Sequence, residues 1–231
     1  MSSNPDRQSR LFKAVILDYG CVLSLPPTPE SIRTFAATFQ VEPAKFFDSY
    51  YLSRGPYDQG LLSAEEYWAN FARSLNVPID ARLIAQLRSL DIEIWSRINV
   101  EMTAWLGELY RAGLVTALLS NMPPDMAHHV RRSFPWMEYF HHPVFSCELG
   151  CIKPDPTIFR KCLERINVRP KEALFADDRK ENAAAAKALG IVAIRFESVP
   201  QLCERLGDLR FPVLPRSNRC DRSWPPDAGR K

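Results

Sequence analysis

No stretch of this 231-residue chain stays apolar long enough to cross a bilayer. A membrane helix needs roughly 20 consecutive apolar residues, whereas the runs 14–17, 114–115 and 117–119 stop after a few. Residues 1–10 are polar and lack the apolar core of a secretory signal. The expectation is a soluble, cytoplasmic protein with no membrane partner. The six cysteines, at 21, 147, 151, 162, 203 and 220, form no CxxC pair. Neither His128 and His129 nor His141 and His142 complete a zinc-finger spacing with Cys147 and Cys151. Scattered free thiols are therefore expected. Excess charge of one sign is also missing from the body. Lys plus Arg number 30 against 27 Asp plus Glu, and residues 215–231 alone hold five basic side chains against two acidic ones. The formal +3 thus sits in the tail, and the neutral body argues against a nucleic-acid partner, which would require many phosphate-neutralising cations. With Pro215, Pro225, Pro226 and Gly229, the tail reads as a disordered basic end.

What is present is ordinary globular material, 46% hydrophobic and 25% charged, in a chain long enough to bury a core without staples. The run 14–17 reads as a buried strand stopping at Asp18. Helical spacing follows at Ile32, Phe35, Ala36 and Phe39. Ser63 with Glu66 forms a capping box ahead of Tyr67, Trp68 and Phe71. Asp80 caps a stripe of Leu83, Ile84, Leu87, Leu90 and Ile94. No strand pattern interrupts residues 30–97. Beyond them the pattern alternates: helix 99–111, strand 114–119, helix 125–132, a short strand at 144–145, helix 155–166, strand 173–176, helix 181–189 and strand 191–194. Strands separated by such helices pair in parallel through right-handed crossovers. The expected fold is α/β, a doubly wound parallel sheet with an inserted all-helical cap. The core is expected at 11–24 and 98–214, the cap at 25–97 and the tail at 215–231.

Ligands of an open parallel sheet bind beyond the carboxyl ends of its strands. Three of these strands end at Asp18, at Ser120 and Asn121, and at Asp177 and Asp178. Lys153 lies in the loop after the fourth. Two unit charges about 4 Å apart repel by roughly 4 kcal/mol at an effective dielectric of 20, so three crowded carboxylates cost on the order of 10 kcal/mol. Lys153 alone does not offset that. A divalent cation that favours hard oxygen ligands does, and Mg²⁺ is the natural choice.

Four ordered elements carry a resemblance: Ile16-Leu17-Asp18-Tyr19-Gly20-Cys21-Val22-Leu23, Leu118-Leu119-Ser120-Asn121, Gly150-Cys151-Ile152-Lys153-Pro154-Asp155, and Phe175-Ala176-Asp177-Asp178 with Asn182 four residues on. Together they resemble the haloacid dehalogenase-like hydrolase superfamily, with its Rossmann-like core and a helical cap after the first strand. The resemblance implies that Asp18 is a nucleophile forming an aspartyl-phosphate. Ser120 would bind a phosphoryl oxygen with Asn121 nearby, and Lys153 would neutralise charge. Mg²⁺ would be held by Asp18, the Gly20 carbonyl and Asp178, with Asp177 a further or water-mediated ligand. Many phosphatases of the superfamily carry an acid–base Asp where this chain has Gly20. Three readings follow: a phosphatase of the Asp-x-Gly-x-Val branch, which includes sugar-phosphate phosphatases; a dehalogenase-like hydrolase attacking carbon; or a catalytically silent binding protein. Under the first, the partner is a small phosphorylated metabolite. Residues 53–60, with Arg54, Tyr57 and Asp58, are the expected specificity loop of the cap; Arg54 either binds a second anionic group or is an exposed surface residue. A monomer or homodimer fits the sequence.

Overall fold

The computed structural model describes residues 12–216. Five strands, β1 (Ala14–Leu17), β2 (Val115–Ser120), β3 (His142–Phe145), β4 (Ala173–Asp177) and β5 (Val192–Arg195), form one parallel sheet in the order β3-β2-β1-β4-β5. Central β1 pairs at Ala14 with Val115 on one side and Ala173 on the other. All four of its side chains are buried, because a central parallel strand is covered on both faces. Its alternate residues enter opposite layers. Val15 and Leu17 join Leu118, Leu174 and Trp105, while Ala14 and Ile16 join Leu119, Phe159 and Phe175.

The helices α1 (Pro29–Ala37), α2 (Pro43–Ser53), α3 (Gly55–Asp58), α4 (Ala64–Ser74) and α5 (Ala81–Ile94) follow β1 with no named strand between them. Then α6 (Val100–Arg111), α7 (Pro124–Ser133), α8 (Ser146–Leu149), α9 (Pro156–Ile166), α10 (Lys180–Ala188) and α11 (Val199–Asp208) alternate with the remaining strands. Side chains of α6, α7 and α11 cover one face of the sheet, and those of α9 and α10 the other. This is the expected doubly wound α/β arrangement.

Helices α1–α5 pack around a separate aromatic core that includes Phe35, Phe39, Phe46, Trp68 and Phe71. The Ser63–Glu66 capping box forms in both directions, at 2.8 and 3.1 Å, and Asp80 accepts from the Leu83 amide at 2.7 Å. The two connections to the sheet run side by side. The Leu25 amide donates to the Arg97 carbonyl at 2.7 Å and the Asn99 amide to the Leu23 carbonyl at 2.8 Å.

Three local expectations change. Residues 53–60 are not simply a loop: α3 occupies the middle of the segment, its first turn started by Pro56. Helix α11 is unanticipated; Ser198 caps it and Pro200 sits in its first turn, where proline is tolerated. Of the cysteines, 21, 147, 151 and 162 are free, whereas Cys203 is disulfide-bonded. At the C-terminal end of the described residues, Arg216 pairs with Glu108 at 2.7 Å, while the expected tail beyond 216 lies outside the described residues. Among the described residues no helix is long and apolar enough to cross a membrane.

Candidate active site

From β1 the chain builds outward to β2 and β3 on one side and to β4 and β5 on the other, leaving a crevice beyond the strand ends at the switch point. Pairing of Leu17 with both Leu118 and Ala176 brings the ends of β1, β2 and β4 level. Asp18, Ser120 and Asp177 are therefore neighbours, and the Asp18 amide donates to the Ala176 carbonyl at 3.0 Å. Asp18 and Ser120 line one cavity of about 530 Å³ together with Gly20, Asn121, Lys153 and Asp178. Ser120, the last residue of β2, is buried at its edge.

Lys153 reaches this point from the loop between α8 and α9, and Asn121 fixes its main chain from both sides. The Asn121 Nδ2 donates to the Lys153 carbonyl at 2.9 Å, and the Lys153 amide donates to Asn121 Oδ1 at 2.8 Å. The Asn121 amide is thus engaged with the protein itself. The buried Lys153 Nζ lies 2.8 Å from the Leu119 carbonyl, 2.6 Å from Asp177 Oδ2 and 2.8 Å from Asp18 Oδ1. Those three acceptors match the three protons of an ammonium. Burial opposes its charge, but Asp177 and Asp18 outweigh burial and hold its pKa above the ordinary lysine range.

Asp177 is fully buried and saturated. Its Oδ1 accepts from the Arg179 amide and Asn182 Nδ2, both at 2.9 Å, and its Oδ2 from Lys153 and, at 3.1 Å, Asn182. Asp178 is only half-buried and its carboxyl is pushed upward, first by burial and then by Asp177. Burial likewise pushes Asp18 up to about 7, against the pull of Lys153 and with help from Asp177 and Asp178. Oxygens of the three carboxylates lie within 4.8 Å of one another. Three such groups against one ammonium leave two negative charges uncompensated, a donor set that fits a hard divalent cation. Asp18 and Asp178 have the oxygens to hold it, beside Gly20; the oxygens of Asp177 are already committed.

The turn after Asp18 carries its own signals. The Tyr19 amide donates to Asp18 Oδ1 at 2.7 Å, Gly20 is extended at φ −61° and ψ 130°, and Cys21 is left-handed at φ 56°. A non-glycine residue held there stores of order 1–3 kcal/mol of strain, which is commonest at functional sites. Burial and the nearby Asp178 push the Cys21 thiol up to about 12, so it stays neutral.

The opposite wall belongs to the helical layer, where Tyr50, Tyr51, Arg54, Asp58 and Trp95 line the same cavity. Arg54 is 8% exposed, which overturns the reading of it as a surface residue. Its Nη1 donates to both oxygens of Asp91 at 2.7 and 2.9 Å, its Nε donates to Asp58 Oδ1 at 3.0 Å, and its guanidinium lies 4.6 Å from the Tyr50 ring centre. Burial pushes Asp58 up to about 6 against the pull of Arg54. Tyr19 and Trp95 tie the turn after Asp18 to this layer: the Tyr19 hydroxyl donates to the Trp95 carbonyl at 2.8 Å, and Trp95 Nε1 donates to the Tyr50 hydroxyl at 3.0 Å. Asp91 escaped sequence reasoning, although a signal was available. It falls on the apolar stripe with Leu87 and Ile94, where an aspartate is buried only with a partner.

A lysine held between carboxylates beyond the carboxyl ends of a doubly wound sheet places the chain among α/β proteins with a charged site at the topological switch point. The model of the haloacid dehalogenase-like hydrolase family matches residues 10–190, and the chain belongs to that family. It is 27% identical over 204 residues to the acyl-CoA dehydrogenase family member 10 of Mus musculus, covering 81% of this chain but only 18% of the mouse protein's length. It is 28% identical over 163 residues to the sesquiterpene phosphatase astK of Aspergillus oryzae, covering 66% of this chain and 83% of the fungal protein. A HAD family enzyme from Bacteroides thetaiotaomicron, solved in complex with magnesium and inorganic phosphate, superposes with a TM-score of 0.67 at 26% identity, covering 83% of this chain and 98% of that one.

Proposed function

We propose that this hydrolase is a Mg²⁺-dependent phosphatase that removes phosphate from a small monoester by way of a phosphoryl group carried on Asp18. The observation that carries the reading is Lys153 Nζ, 2.8 Å from Asp18 and 2.6 Å from Asp177, with the open carboxylate of Asp178 beside them. The phosphatase named among the relatives and the magnesium–phosphate complex of the structural neighbour support it. In this reading 11–24 and 98–214 form the catalytic core, and 25–97 is the cap that closes its cavity.

An Asp18 oxygen attacks phosphorus while the bond from phosphorus to the ester oxygen breaks, and the departing alkoxide takes a proton. Water then attacks the same phosphorus, releasing inorganic phosphate and the Asp18 carboxylate. Lys153 offsets negative charge on Asp18 and on the group in transfer, and Ser120 offers a hydroxyl to a phosphoryl oxygen. Asp18, Asp178 and the Gly20 carbonyl would hold Mg²⁺, which would supply charge neutralisation at the phosphoryl oxygens. Gly20 has no proton to give, so the alkoxide is protonated by water, by the cap or by the substrate itself.

Attack on carbon would leave the acidic pair without a use, and a silent scaffold would not require a buried lysine among carboxylates. The test is turnover of small phosphate esters with Mg²⁺ by the wild-type chain and by Asp18→Asn, with the phosphoenzyme trapped by acid quench. Turnover should vanish in the folded variant, because a neutral amide does not attack. Near-normal turnover by Asp18→Asn would refute the nucleophile.

A further inference from the structure

We infer that the leaving group is an apolar alcohol without acidic or multiple hydroxyl substituents, a conclusion that rests on the phosphatase reading above. Among the described residues, every cation lining the cavity is already paired. Lys153 is shared by Asp18 and Asp177, Arg54 by Asp91 and Asp58, and Arg179 Nη2 lies 2.7 Å from Glu181. On the cap wall, one guanidinium faces two carboxylates, so a second phosphate or carboxylate on the substrate meets net negative charge. The hydroxyls of Tyr50 and Tyr19 and the indole N–H of Trp95 on that wall are also satisfied within the protein. The Tyr50 hydroxyl accepts from Trp95 Nε1 and donates to Asp91, and the Tyr19 hydroxyl is taken by the Trp95 carbonyl. A sugar hydroxyl pressed against them gives up its water without gaining a partner, which costs roughly tenfold to a hundredfold in affinity per group.

What the wall offers instead is carbon. Tyr51, Trp95, Met122, Met126 and Ile152 line the same cavity. Gly55 adds no side chain, and a β-carbon there would stand 3.7 Å from Ile152 Cδ1. At about 530 Å³ the cavity falls within the range that encloses a small organic ligand. Each methylene moved from water onto such a wall gains about fourfold in binding.

The experiment measures kcat/KM of the full chain with Mg²⁺ on acetyl phosphate, glycerol phosphate, glucose 6-phosphate, phosphoserine and n-alkyl phosphates from propyl to decyl. Naphthylethyl phosphate and a branched isoprenoid phosphate separate aromatic from aliphatic apolar groups. The expected result is a rise of about fourfold per methylene until the cavity fills, with the polyol and phosphoserine esters lowest. A flat alkyl series, or a best substrate among the polyol or acidic esters, overturns the inference and leaves the phosphatase reading intact. Absence of turnover on acetyl phosphate and on every ester overturns both. Tyr51 is 42% exposed, so Tyr51→Ser is tolerated by the fold and should shrink the octyl-to-propyl preference several-fold. An unchanged preference in that variant overturns the assignment of this wall as the selective surface.

Discussion

Asn121 grips Lys153 by its main chain, accepting from the amide at 2.8 Å and donating to the carbonyl at 2.9 Å, so the site lysine is positioned by a residue 32 places earlier. This makes Asn121 a positioning residue and gives a test against the substrate contact expected from its sequence position. Asn121→Ala leaves two main-chain groups of Lys153 without these partners, a loss worth about 1–3 kcal/mol for each buried group left unsatisfied. The expected outcome is a fall in kcat of about tenfold to a hundredfold with KM nearly unchanged. Steady-state kinetics decide: a raised KM with kcat intact would mean that the amide holds substrate directly.

Metal removal is the second prediction. Excess chelator should abolish turnover, and added Mg²⁺ should restore it, because Lys153 neutralises only one of three carboxylate charges gathered within 4.8 Å. Asp178→Asn should raise the Mg²⁺ concentration needed for half-activity by at least tenfold. Full activity in chelator would remove the metal from the mechanism.

The core was legible in the sequence because its signals are local. A buried run such as Ala14-Val15-Ile16-Leu17 ending at Asp18, or Ala173–Asp177 ending in an acidic pair, states both the strand and the place where the chemistry gathers. The capping box at Ser63 is equally local. The cap wall was not legible, since its meaning lies in pairings distant along the chain: Arg54 with Asp91, 37 residues apart, and Tyr19 with Trp95, 76 residues apart. Nothing near Arg54 announces burial, because a guanidinium buries only when a carboxylate arrives from elsewhere in the fold. Asn121 follows the end of β2, which the sequence does announce, yet its double contact with the Lys153 main chain depends on the close approach of two loops.

Asp58 makes a prediction about pH. Its carboxyl is pushed from 3.8 up to about 6, burial outweighing Arg54, with Asp91 adding to the rise and Arg179 opposing it. A group raised in the folded state contributes stability that is fully present below its unfolded pKa and lost as pH rises through the folded one. Asp58→Asn removes that dependence. From pH 4 to pH 6 the wild type should lose stability relative to the variant, by up to about 3 kcal/mol. Denaturant unfolding of both proteins across that range measures it; a parallel pair of curves would show that Arg54 cancels burial, and the opposite slope that Arg54 outweighs it.

The final prediction concerns the missing acid. A β-carbon on Gly20 would lie 3.7 Å from Trp95 Cζ3, an ordinary contact, and the Gly20 backbone is extended at φ −61° and ψ 130°, where any residue is at ease. Gly20→Asp therefore faces neither backbone strain nor an immediate clash, and its melting temperature should stay close to that of the wild type. The new carboxyl would stand beside an indole ring, in surroundings that disfavour its charged form and keep a proton available. General acid help of this type is worth about 10²–10⁴ in rate when the leaving group needs a proton. The gain should therefore be selective, large for alkyl phosphates, whose alkoxide must be protonated, and small for p-nitrophenyl phosphate, which departs without one. The kcat ratio between the two ester classes, compared in wild type and variant, isolates this effect from any change in folding or metal binding. If a stable Gly20→Asp protein shifts both classes equally or neither, the proton reaches the leaving group from another direction, and Asp58 on the cap wall becomes the next residue to replace.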